Sequence, residues 1–134
     1  MRKALIMLVL LVLCVLCAAC RVKDTSDTEE KSELDYTVED DEDLPEEVAN
    51  YITDRKRDSF STTFVSGEYM YIIVCFGTMN TSGYSIQVTS AYETDNRIVI
   101  ETKLSGPKTE GDKTETYPYI VLKTEKSDKQ VVFK

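Results

Sequence analysis

The chain contains no histidine. That absence removes Ser-His-Asp and Cys-His nucleophilic catalysis, and every zinc site that needs an imidazole. Paired carboxylates, Ser-Lys or tyrosine chemistry remain open, but none forms a recognisable motif, so neither catalytic residues nor a small-molecule substrate or cofactor is expected. Cys75 lies inside the apolar run from Tyr71 to Phe76. A thiol in that setting reads as a small core hydrophobe rather than a nucleophile. The run Asp40-Asp41-Glu42-Asp43 has the charge to hold calcium, yet it lacks the glycine and the distal glutamate of an EF-hand loop; no metal site is expected. Two short stretches carry residues suited to recognition instead of reaction. The first is Met79-Asn80-Thr81-Ser82-Gly83-Tyr84, where Gly83 permits a tight reversal and Asn80 and Ser82 can bond to nearby amides. The second is Tyr117-Pro118-Tyr119, where Pro118 fixes its own φ, lacks an N–H donor and holds Tyr117 extended. Interfaces draw heavily on tyrosine. The structural alternative is that glycine and proline punctuate the turns while Tyr84 and Tyr119 cap a small core.

The elements that must position these loops follow from periodicity. Pro45 suits a first helical turn and Glu46 and Glu47 favour a helix N-terminus, with Asp43 or Leu44 at the cap. Val48, Tyr51 and Ile52 then share a face, and Arg55, Lys56 and Arg57 complement the C-terminal end of the dipole. One short helix over about 45–56 is expected. From Phe60 the pattern has a period of two. Phe60, Thr62 and Phe64 alternate with Ser61 and Thr63, and Ser66-Gly67-Glu68 reads as a turn. Tyr69 to Phe76 is almost wholly apolar, as in a central strand buried on both faces. Tyr84, Ile86 and Val88 alternate up to Glu93. Ile98 and Ile100 alternate with Val99 and Glu101. The strands Tyr119–Lys123 and Gln130–Phe133 close the chain. The expectation is a mainly β fold: a small antiparallel β-sandwich or open barrel of about six strands with one short N-terminal helix.

The N-terminus places the molecule in a compartment. Met1, Arg2 and Lys3 precede an apolar stretch from Ala4 to Ala19, shorter than the ~20 residues of a spanning helix and typical of a secretory signal peptide. Cys20 directly after Ala18-Ala19 resembles a bacterial lipoprotein signal, in which that cysteine becomes the lipidated first residue. Three parts follow: 1–19 signal peptide, 20–43 lipidated cysteine and acidic disordered tether, and 44–134 β domain. The tether is rich in Asp, Glu, Ser, Thr and Lys and too poor in apolar groups to offset its ordering entropy. Removal of residues 1–19 leaves 14 of the 16 basic side chains against 24 acidic ones, a formal charge of −10. That sign disfavours nucleic acid and anionic lipid surfaces. The membrane link expected is the acyl chain on Cys20, on the extracytoplasmic face of the cell envelope.

The loop Gly77-Thr78-Met79-Asn80-Thr81-Ser82-Gly83-Tyr84-Ser85-Ile86 and the run Thr116-Tyr117-Pro118-Tyr119-Ile120-Val121-Leu122-Lys123 together resemble the C-terminal domain of the PrcB family. The likeness covers about Tyr69 to Lys123. Ser82 stands where the family usually has a glycine, which matters only if that position needs a positive φ. The family is named for a lipoprotein subunit that associates with and stabilises a secreted serine protease complex. The resemblance therefore implies a protein-binding module docking on a secreted protease, through Met79–Tyr84 and Tyr117–Tyr119. A shorter likeness joins Asn80–Tyr84 to a loop of the chagasin-type cysteine-protease inhibitors, also small sandwiches, although no Pro follows Asn80 and no Arg or Trp flanks Pro118. It implies an inhibitor as the alternative. The third reading is a structural envelope lipoprotein without a specific partner.

Overall fold

The computed structural model describes Lys3 and residues 29–134. The signal segment apart from Lys3, the lipidation candidate Cys20 and residues 21–28 lie outside the described residues. Among residues 29–134, eight strands and one α-helix follow in chain order, besides a 3-10 turn at Asp41–Asp43: β1 (Ser32–Glu33), β2 (Thr37–Val38), α1 (Glu46–Arg55), β3 (Ser59–Ser66), β4 (Tyr69–Phe76), β5 (Ser85–Glu93), β6 (Arg97–Ser105), β7 (Tyr119–Glu125) and β8 (Gln130–Phe133). They form two four-stranded sheets with the orders β1-β5-β6-β8 and β2-β7-β4-β3. The fold is a small β-sandwich with one helix, and neither sheet closes into a barrel.

The layers explain the apolar runs. Alternate side chains of a strand point to opposite faces. Met70, Ile72 and Leu122 of the β4 sheet therefore meet Ile98 and Ile100 of the β6 sheet inside the sandwich. Tyr71, Ile73 and Val121 on the opposite face pack beneath Val48 and Ile52 of α1. β4 is thus covered by a sheet on one side and a helix on the other, which is why Tyr69–Phe76 carries no alternation. The helix begins at Pro45, whose carbonyl accepts from the amides of Val48 and Ala49, both at 3.0 Å. The cap is this proline rather than Asp43 or Leu44, because its extended ψ of 141° turns the chain into the first turn. β3 and β4 are joined through Gly67, whose φ of 61° lies in the first central position of a two-residue hairpin, where glycine is favoured.

Three features differ from the sequence expectation. The strands number eight rather than about six. The two additional ones, β1 and β2, lie within the acidic stretch expected to be a tether. Leu34 between them is only 5% exposed and joins the sandwich core. Thr124 Oγ1 donates to the Asp35 carbonyl at 2.8 Å, and the Leu34 amide donates to the Ala91 carbonyl at 3.2 Å. Burial of Leu34, packing of Tyr36 on the same cluster and pairing with β5 and β7 together oppose the ordering cost of the segment. The sandwich is also not wholly antiparallel, because β6 and β8 run parallel. The chain leaves the β6 sheet, forms β7 in the other sheet and returns, so two reversals bring β8 back in the direction of β6. Finally, Val99, assigned by alternation to the solvent face, is buried. Its cross-strand neighbours Tyr92 and Val132 flank it on the outer face.

Candidate protein-binding surface

The two candidate loops meet at one end of the sandwich. Met79 and Thr116 exchange backbone hydrogen bonds of 2.8 and 2.9 Å. Thr116 Oγ1 donates to the Thr81 carbonyl at 2.7 Å, and the Ser82 amide donates to the Asp112 carbonyl at 3.1 Å. The loop base is fixed as well: the Thr78 amide and hydroxyl both donate to the Arg57 carbonyl, at 3.1 and 3.0 Å. Gly83 has a φ of 90°, and a Cβ there would stand 2.8 Å from the Pro107 Cβ. The positive φ falls on Gly83 and Gly77, and no described residue other than glycine adopts one. Ser82 therefore fits the loop without strain, and its departure from the family pattern costs nothing in backbone conformation. Asn80 and Gly83 are exposed at the tip, while Met79, Thr81 and Ser82 are half-buried.

The tyrosines divide into two settings. Tyr84 is half-buried beside the Gly106-Pro107 turn, where a Cβ on Gly106 would lie 3.6 Å from its ring. Tyr117 stands against the end of α1, with Lys56 Nζ 5.0 Å and the Arg57 guanidinium 5.7 Å from its ring centre, within the range of cation–π attraction. Its hydroxyl donates to Glu115, and that bond, followed by desolvation, pushes its pKa upward. Tyr119 caps the cluster under the helix and donates its hydroxyl to Asp41. Burial first, then the Asp41 hydrogen bond and charge, push its pKa well above the usual phenol value. Pro118 precedes β7 and lends its carbonyl to the Phe76 amide at 3.0 Å; without an N–H it returns no bond to the Phe76 carbonyl, and the ladder to β4 starts at this residue. Cys75 is buried, and desolvation raises its thiol pKa, the environment of an inert core cysteine.

Asp41 was not among the residues that the sequence marked for this surface, nor were Lys56, Arg57 and Glu115. Between the acidic segment Val38–Glu42 and the segment Tyr117–Val121 lies an open cleft of about 720 Å³. One wall is acidic and the other is tyrosine and proline. The arrangement has the chemistry to receive a basic or aromatic segment of another protein. Among the described residues no group of three or more acidic or cysteine side chains is placed to hold a metal ion.

The structure is thus a β-sandwich with two tied loops and an acidic, aromatic cleft. Residues 70–125 match the family model described as PrcB C-terminal, a segment that runs from β4 through β7 and contains both candidate loops. No curated protein and no solved structure matches the chain.

Proposed function

We propose that this protein is an extracytoplasmic lipoprotein, held in the cell envelope by an acyl chain on Cys20, whose β domain docks on a secreted protease and stabilises it. The domain acts as a binding partner rather than as an enzyme, without cofactor or metal. The observation that carries the reading is the fusion of loops 77–84 and 106–118 into one platform, inside the segment that matches a family named for a protease complex subunit. A surface whose backbone is already tied loses little entropy on binding. Asn80, Thr81 and Tyr117 are the expected anchors, and the acidic cleft beside Tyr119 suits a basic segment of the partner. The exposed Asn80 tip also suits entry into an active-site cleft, so inhibition is the second reading. Affinity capture of the full-length chain from its native envelope tests the proposal. A protease is expected among the captured proteins, and Asn80→Ala with Tyr117→Ala is expected to lose it. Capture unaffected by that pair would remove the loop platform from the docking surface. Loss of the protease's activity on binding would select inhibition.

A further inference from the structure

β3 is an edge strand, paired on one side with β4 at eight successive positions without a bulge. The hairpin closes on the pair Ser66 and Tyr69, so the backbone groups of the even-numbered residues of β3 face β4. Those of Ser61, Thr63 and Val65 face outward. Among the described residues these outward groups have no backbone partner. Natural edges of this length are usually blunted by a charge, a proline or a bulge. β3 has none of them. No charge occurs from Ser59 to Gly67, in a chain of net charge −8 in which 30% of residues are charged. The side chains on the helix side are half-buried aromatics: Phe60 and Phe64 stand 5.8 and 6.1 Å from the Tyr51 ring. On the other side Val65 is 47% exposed.

We propose that β3 pairs antiparallel with β3 of a second copy of this chain, about a two-fold axis at Thr62. The segment Phe60-Ser61-Thr62-Thr63-Phe64 reads almost the same in both directions. Self-complementarity of that kind is what an isologous interface requires. With Thr62 opposite itself, Ser61 faces Thr63 of the second copy and exchanges the outward backbone bonds with it. Phe60 comes opposite Phe64 of the second copy on the helix side, an aromatic cross-strand pair on each side of the axis. The charge-free edge also lets two strongly acidic molecules approach along this line without opposing carboxylates. The helices clear one another: the two β4 strands stand three strand spacings apart, about 14 Å. Packed helices need only about 8–10 Å. The inference is independent of the loop surface, which lies at the end of the sandwich and stays open.

The test is oxidative crosslinking of the full-length chain carrying Thr62→Cys, in detergent. The wild type sets the background from the native cysteines, and Lys103→Cys, on an exposed position of β6, serves as control. A band at twice the mass of the monomer is expected for Thr62→Cys alone. Thr63→Pro, which removes an outward amide and no bond to β4, is expected to reduce the yield at least about tenfold, equivalent to ~1.4 kcal/mol of lost pairing. Ser61→Lys with Thr63→Lys does the same by opposing like charges and keeps every backbone donor, should the proline variant misfold. A yield no higher than wild type or Lys103→Cys overturns the proposal, as does a Thr62→Cys adduct with a different protein. A dimer band that persists in the folded double-lysine variant also overturns it.

Discussion

Leu34→Ala should destabilise the domain as strongly as a substitution in a central strand, although Leu34 sits in a stretch rich in Asp, Glu and Lys. The side chain is 5% exposed and packs with Met70, Ile72, Ile98, Ile100 and Leu122. The substitution removes three buried carbons, and at ~0.8 kcal/mol each the transfer loss is roughly 2.4 kcal/mol. The cavity adds to this, because the Leu34 amide is bonded to Ala91 and the neighbouring Asp35 carbonyl to Thr124, so the site cannot fully collapse. A loss of about 3 kcal/mol falls within the range for buried leucines. For a domain of this size it corresponds to a fall in Tm of very roughly 15 °C. Urea and thermal unfolding of the chain beginning at Cys20, followed by circular dichroism, measure it. Asp35→Ala, with its side chain exposed, is the control and should stay within about 0.5 kcal/mol of wild type. If Leu34→Ala also falls within that margin, the segment before Leu44 is a spacer and its strands add nothing to the fold.

Three further outcomes follow from the same geometry. Gly83→Ala is expected to cost more than about 1 kcal/mol, since the φ of 90° disfavours any side chain and the Cβ meets Pro107 at 2.8 Å. Thermal melting reads it, and a melt unchanged from wild type would contradict the loop geometry. Tyr119 has a folded-state pKa raised above 10.0, so its contribution is complete below pH 10 and is lost as pH climbs above that value, where the unfolded phenol ionises first. Tyr119→Phe should flatten the decline in stability above pH 10 in an alkaline unfolding series; an equal decline in both proteins would assign it elsewhere. Cys75 should react with a thiol reagent at the rate of global unfolding in a chain whose other cysteines are removed, and rapid labelling under native conditions would show that β4 is not closed on its helix side.

Much of the architecture was legible because it rests on local periodicity. The spacing of Val48 and Ile52 located α1, and the uninterrupted apolar run of β4 announced burial on both faces. The loops around Gly83 and Pro118 were legible because each depends on one residue with an uncommon backbone property. The short strands β1 and β2 were hidden by composition. Leu34, Tyr36 and Val38 do repeat with a period of two, but the intervening charges and the shortness of the pattern give no measure of what the sandwich offers them. The parallel pairing of β8 with β6 depends on which sheet β7 joins, a non-local choice absent from local pattern. The same holds for Asp41, which reaches Tyr119 across 78 positions of sequence. The Tyr117 setting against Lys56 and Arg57 likewise requires the end of α1 to be placed beside the start of β7.

The most direct test of the docking surface is site-specific photocrosslinking in the native envelope, with the reactive group placed in turn at Asn80, Tyr117 and, on the remote face of β6, Glu101. One dominant adduct with a secreted protease is expected from positions 80 and 117 and none from position 101. Equal adducts from all three positions, or no protein adduct from the two loop positions, would contradict that docking surface.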